Sequence, residues 1–232
     1  MTMGSLDGVG LIEVRQDVYR NIVSLRASRD LFDDLSDDPG DWQAAIQLEI
    51  AHKPPHYQST QPLIHRPFEE AGYHSAVRYP FDNWSQSRYS RGSFGVWYGA
   101  PELETTIYET AHHWRHGLLA DAGWADIDGV SIERRVHQVY CRAALINLLP
   151  YTDRWPALRS NDYGPCQALG ERLHREGHPG LWAPSARCEG IVSVAFTPNI
   201  LSDPRTSCFL TYTLRAGKVA VSRQPNTVFM TI

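Results

Sequence analysis

The stretch "RYSRGSFGVWYGAPELETTIYETAHHW", residues 88–114, decides how the rest of the chain is read. Its segment 93–100 predicts a strand, with Phe94, Val96 and Tyr98 on one face and Trp97 on the other. Pro101 suits a first helical position, because its missing N–H has no partner there in any case. A helix over 101–119 is expected. Leu103, Ile107, Ala111, Trp114 and Leu118 follow one another at 4-4-3-4 spacing and draw a single apolar stripe along it.

Outward from this unit, strands and helices follow without a regular β-α-β rhythm. Residues 1–14 read as a loose start, and 17–26 alternate as a strand. The cluster Asp37-Asp38-Pro39-Gly40-Asp41 is a turn and cap signal, and Trp42 opens a helix of about ten residues. Residues 52–82, rich in Pro, His and Tyr, read as an irregular connection. Segment 134–149 predicts one or two strands. A helix over 161–177 has Asn161 or Asp162 as its cap, Cys166, Leu169 and Leu173 as its inner face, and Gly177 as its stop. Strands are expected at 190–196, 208–214 and 218–223, the last pair joined through Ala216-Gly217. The order argues an α+β fold with a mixed, partly antiparallel sheet and flanking helices, not a doubly wound parallel one. One domain over 15–232 is expected, with 27–84 as a helical and irregular extension of its core.

The 232 residues are 42% apolar and 21% charged, with a net charge of −4. That is a globular composition, and it lacks the surplus of cations that a nucleic-acid face needs. Only Lys53 and Lys218 are lysines, so nearly all the positive charge is arginine, the better residue for two-pronged contacts to phosphate. Cys141, Cys166, Cys188 and Cys208 form no C-x-x-C pair and no disulfide framework. No signal peptide and no membrane-spanning run is visible, and the expected location is the cytoplasm.

At about 100° per residue from Leu103, Glu109 falls near 240°, off the apolar stripe. Thr105, His112 and His116 lie within about 60° of it on the same polar face. That face is either solvated or lines a cleft. Glu109 with His112 spells E-x-x-H, and His112 with His116 is an i, i+4 pair; both are reasonable metal geometry. No second metal motif accompanies them, although His65, His74, His137, His174 and His178 stand elsewhere, and no metal is assigned. Arg88 and Arg91 flank small residues and make candidate phosphate clamps. In 183–187, Pro184 holds Ala183 extended and Ser185 sits in a tight segment before a strand; no G-x-S-x-G elbow supports a nucleophile.

These blocks resemble the RES domain. The first half of that pattern, an arginine and an aromatic residue, G-x-F-G-V-x-Y, then L-E-T-A-x-x-E, is similar to 87–113. The second half, Y-P-S-x-R and an apolar strand, is similar to 180–201. "DVYRNI" at 17–22 resembles the family's early strand. The similarity runs over about 15–223, with Gln86 and Ser87 in place of glycines, Tyr89 in place of Phe, and Ala183 in place of the Tyr before Pro-Ser.

The resemblance implies an ADP-ribosyltransferase-like fold and the toxin of a bacterial toxin–antitoxin pair. Such a protein takes NAD as substrate and breaks the nicotinamide–ribose bond without a metal. ADP-ribose then goes to water, to phosphate or to a protein target. Carried over, Glu109 and Ser185 are the catalytic residues. Arg20, Arg88 and Tyr98 bind NAD, with the choice between Arg88 and Arg91 open. The implied partner is an Xre-like antitoxin over the pocket, within a complex that can hold a toxin homodimer; neither nucleic acid nor membrane is bound directly. The competing readings are a non-catalytic nucleotide- or partner-binding module and, further off, a metal-dependent hydrolase on Glu109, His112 and His116.

Overall fold

The computed structural model describes residues 8–24, 74–224 and 227–232. The helix expected at Trp42, and 25–73 with it, lie outside the described residues. Among the described residues ten strands occur: β1 Leu11–Val23, β2 Gln86–Ser87, β3 Ser90–Arg91, β4 Trp97–Gly99, β5 Ser131–Asn147, β6 Gly180–Pro184, β7 Ile191–Ala195, β8 Leu201–Arg215, β9 Lys218–Gln224 and β10 Thr227–Thr231. The helices are a short α1 at Tyr79–Asp82, α2 at Leu103–His113 and α3 at Gly164–Arg175. The sheet is mixed, and the fold is α+β as the sequence predicts.

β5 organises the sheet. All of β1 pairs antiparallel with it, from Val23↔Arg134 to Leu11↔Ile146. On its other edge, Ser131 to Cys141 pair antiparallel with β8, and Ile146 and Asn147 pair parallel with β6. The strand order is β10-β9-β8-β5-β6-β7-β4, with β1 beside β5. The N–H of Tyr19 donates to the Ala100 carbonyl (2.6 Å) and the N–H of Ala100 donates back to Tyr19 (3.0 Å). That bridge brings the end of β4 to β1 and closes β1, β5, β6, β7 and β4 into a ring.

Three apolar clusters fix the layers. Ile107, Ala111 and Trp114 of the helical segment pack with Val136, Leu210, Tyr212, Leu214 and Val221. Cys166, Leu169 and Leu173 of α3 pack with Leu181, Val192 and Val194. Trp97 packs with Val14, Val18, Val139 and Leu145, and its indole N–H donates to the Ala76 carbonyl (2.8 Å). Phe94, Val96 and Tyr98 join the α3 cluster while Trp97 joins this one, so the predicted division of faces holds.

Several expectations are corrected. Residues 11–14 are not loose; they begin β1, held by the long partner strand β5. The strand expected over 93–100 shortens to Trp97–Gly99, because the chain bends over residues 92–94 and Gly95 then passes close to the backbone of Pro80. A Cβ on Gly95 would lie 2.3 Å from the Pro80 oxygen, which only glycine avoids. Pro101 precedes α2 rather than opening it, since the cap is Glu102 in extended geometry. After His113 the helix widens into a π-turn over Trp114–Leu119. That adds residues per turn and rotates the stripe, so Leu119 is buried while Leu118 is 61% exposed. The supposedly irregular 52–82 ends in a helical piece, a π-turn at His74–Arg78 running into α1, with Ala76 and Val77 in the core. The tract expected as one or two strands over 134–149 is one strand, Ser131–Asn147, followed by a 3-10 turn from Leu149, and β10 adds a strand beyond those expected. α3 begins at Gly164 with Tyr163 as cap; the Asp162 carboxylate still accepts the Gly164 N–H (3.0 Å), and Gly177, at φ +82°, follows the helix end.

Candidate active site

A cavity of about 480 Å³ opens where β1, the β2–β3 hairpin, β4, α2 and the β6–β7 loop meet. Its size lies within the range of small-molecule sites. Arg20, Arg88, Tyr98 and Glu109 all line it, and Ser185 lies between the lining residues Pro184 and Ala186. Sequence separations of up to 165 positions are thus brought to one place by pairing of β1 with β5 and β4 with β7.

Glu109 faces this cavity because the β6–β7 loop packs on α2. A Cβ at Gly190 would lie 2.2 Å from the Thr105 hydroxyl, so glycine permits the approach. The Ser185 N–H donates to the Gly190 carbonyl (2.7 Å) and closes the loop. The Ser185 hydroxyl then donates to Glu109 Oε1 at 2.6 Å, and the Ala186 N–H donates to the same oxygen at 3.0 Å. Ser185 Oγ itself accepts from the Arg187 and Cys188 N–H groups (3.1 and 3.3 Å). Ser185 is fully buried, and its single proton is committed to the carboxylate. The Ser185 hydroxyl is thus aimed at the Glu109 carboxylate. Among the described residues Oε2 receives no hydrogen bond.

Arg88 occupies the two-residue turn of the β2–β3 hairpin. Its Nη1 donates to the carbonyls of Ser160 (2.7 Å) and Leu158 (3.4 Å), and its guanidinium lies over the Tyr163 ring at 4.5 Å. Nη2 is buried and has no partner. Arg91, by contrast, points away and pairs with Glu171 (3.0 Å), so Arg88 is the arginine of the cavity. Arg20 donates to the Tyr98 carbonyl (2.8 Å), lies over the Trp97 ring at 5.3 Å and leaves Nε buried without a partner. Burial first, and the Arg134 charge second, push Arg20 down to about 10. Arg134 stands behind the cavity wall, its guanidinium bonded to Asn21 (2.9 and 3.0 Å). Among the described residues no carboxylate pairs with Arg20, Arg88 or Arg134. Buried cations with idle N–H donors favour an anionic ligand, which supplies both the charge and the acceptors.

The Tyr98 hydroxyl donates to Ser87 Oγ (3.0 Å) and accepts the Tyr89 N–H (3.2 Å). Burial raises its pKa, so the phenol stays protonated. The histidines sort differently from the helical-wheel expectation. His113 lines the cavity, whereas His112 and His116 pack ring to ring (4.7 Å) outside its lining. Thr105 is buried against the loop, while Glu109 and His113 line the cavity and His116 is exposed, so the polar face is part packed, part cleft and part solvated. Among the described residues no cluster of three or more His, Cys, Asp or Glu is placed to hold a metal ion.

Sequence reasoning missed Asn21, Thr106, Thr110 and Tyr163. Asn21 donates to Tyr212 Oη (2.8 Å), and that hydroxyl meets Thr110 Oγ1 at 2.9 Å, which ties α2 to β1 and β8. Asn21 sits among polar and half-buried neighbours in β1, so nothing in the strand pattern marks it. Tyr163 lies in a loop with no periodicity to mark it.

A family model described as the RES domain matches residues 63–215. No curated protein matches the chain. Among solved structures, the crystal structure of the M. tuberculosis MbcT–MbcA toxin–antitoxin complex is similar at 14% identity and a TM-score of 0.46, over 87% of this chain and 89% of that one. Among the described residues no helix is long and apolar enough to cross a membrane.

Proposed function

The chain belongs to the RES-domain family, and from that premise we propose that it is the toxin of a toxin–antitoxin pair that binds NAD and cleaves its nicotinamide–ribose bond. The observation that carries this reading is the convergence of two arginines with idle donors, one tyrosine and one carboxylate on a single cavity. An Xre-like antitoxin would cover its mouth.

The chemistry follows from those groups. The guanidinium groups of Arg88 and Arg20, which line the cavity, meet the diphosphate oxygens, and their burial makes each contact stronger than it is in water. Tyr98 offers a ring wall held by the bond from its hydroxyl to Ser87. As the C1′–N bond breaks, its electron pair stays on the nicotinamide nitrogen and positive charge grows on the ribose. The Glu109 carboxylate, already aimed by Ser185 and Ala186, stabilises that charge without reorganising. An oxygen nucleophile then bonds to C1′. Water gives ADP-ribose, phosphate gives its phosphorylated form, and a protein side chain gives a modified protein.

Incubating the pure protein with NAD and measuring free nicotinamide tests the reading. Mass analysis with and without phosphate and cell extract identifies the acceptor. NAD that binds but stays intact under all three conditions supports a binding module instead.

A further inference from the structure

The cavity holds one more side chain with chemistry to offer. His113 follows Glu109 by four residues on α2, one turn along the same face, which puts their Cβ atoms roughly 6 Å apart. It lines the cavity, yet its residue as a whole is exposed, so it stands at the mouth rather than the floor. Among the described residues neither ring nitrogen has a hydrogen-bond partner; the imidazole touches only the edge of His112 (5.7 Å). Of the other cavity groups, the Tyr98 hydroxyl and the Ser185 proton are engaged, Arg20 and Arg88 are cations that cannot accept a proton, and the free Glu109 oxygen is the group assigned to the charge on the ribose.

We propose that His113 is the general base for the acceptor step, taking the proton from a neutral oxygen nucleophile as that oxygen bonds to C1′. This rests on the cleavage reading above. With water as acceptor, the O–C1′ bond forms and the C1′–N bond breaks with its pair going to nicotinamide. One water proton passes to His113 and then to solvent, and ADP-ribose keeps the other. A base at the mouth suits this role, because the acceptor must enter after the coenzyme has filled the floor. The groups facing the imidazole leave it neutral: burial lowers its pKa, Glu109 raises it, and the charges of Arg187, Arg88 and Arg134 lower it. A neutral imidazole can accept a proton where imidazolium cannot.

The test compares the wild-type protein with His113→Gln in water and in azide, an anionic nucleophile that needs no proton removed. The expected result is that His113→Gln binds NAD as the wild type does and unfolds at the same temperature. Its release of nicotinamide in water is slower by about 10²-fold, and azide restores it with ADP-ribosyl azide as product. His113→Ala should likewise recover with added imidazole. A full rate in His113→Gln, or a loss that neither azide nor imidazole restores, overturns the assignment of His113 alone. A wild-type chain that releases no nicotinamide with water, phosphate, azide or cell extract overturns the cleavage reading, and this step with it.

Discussion

The Ser185 hydroxyl donates its only proton to Glu109 Oε1 at 2.6 Å while accepting two backbone N–H groups from its own loop. The serine therefore acts on the carboxylate, and the carboxylate acts on the cavity. One oxygen of Glu109 is anchored by two donors and the other is left for a ligand. This split decides what each substitution should do.

Glu109→Gln should leave the fold intact and lower turnover of NAD by about 10²-fold or more, the usual scale for removing a well-placed transition-state group. Gln keeps the shape but not the charge. Steady-state nicotinamide release measures it, and a variant that consumes NAD at the wild-type rate removes Glu109 from the chemistry.

Ser185→Ala should cost less, about 10-fold in kcat, with KM for NAD nearly unchanged, because Ala186 still holds Oε1. The double variant with Glu109→Gln should be no worse than Glu109→Gln alone, since the serine works through the carboxylate. A Ser185→Ala loss that appears mainly in KM means the hydroxyl contacts the coenzyme after all.

Arg88→Ala should weaken NAD binding by about 10²-fold, while Arg91→Ala changes it little. The first removes a buried guanidinium with an idle donor; the second breaks an exposed ion pair with Glu171, of the kind worth at most about 1 kcal/mol. Calorimetric titration with NAD separates them, and equal losses would contradict the geometry.

Much of this was legible in the residues. The 4-4-3-4 stripe identifies the buried face of α2 correctly as far as Trp114, and the alternation around Trp97 assigns both faces of β4. The α+β class follows from the order of elements alone. What failed did so for tertiary reasons. The π-turn after His113 depends on how the helix end packs and leaves His116 outside the cavity, whereas His113, about 40° from Glu109 on the same wheel, is legible in the residues. The role of Ser185 depends on a loop closed over Thr105, and Gly190 permits that approach without announcing its target. The choice between Arg88 and Arg91 needed Glu171, Leu158 and Ser160, all at least 67 positions away.

Packing behind the site is equally exacting at Gly170. A Cβ there would lie 2.0 Å from the Tyr89 carbonyl oxygen, where α3 passes the hairpin that carries Arg88. Gly170→Ala should destabilise the protein by about 2 kcal/mol and lower Tm by roughly 4–8 °C, despite the better helix propensity of alanine. It should also weaken NAD binding, because the hairpin must move. Thermal unfolding of the variant at or above the wild-type Tm would mean the helix shifts freely.

Stability should also fall in mild acid, and His137 is the main reason. It is 2% exposed and lies directly across from Arg20 in the β1–β5 ladder. Burial first, then the charges of Arg135 and Arg20, push its pKa down to about 4 from 6.5. Between those values the unfolded chain binds a proton that the folded chain refuses. The stabilisation is thus complete above pH 6.5 and is lost as pH falls toward 4, at up to about 1.4 kcal/mol per pH unit. His112 is pushed down to about 4, chiefly by burial, and adds to the fall with the same sign, though its greater contact with solvent makes its share smaller. Urea unfolding from pH 7 to pH 4.5 measures the slope. His137→Gln, which cannot take up the proton, should flatten it; an unchanged slope in that variant assigns the acid sensitivity to other groups.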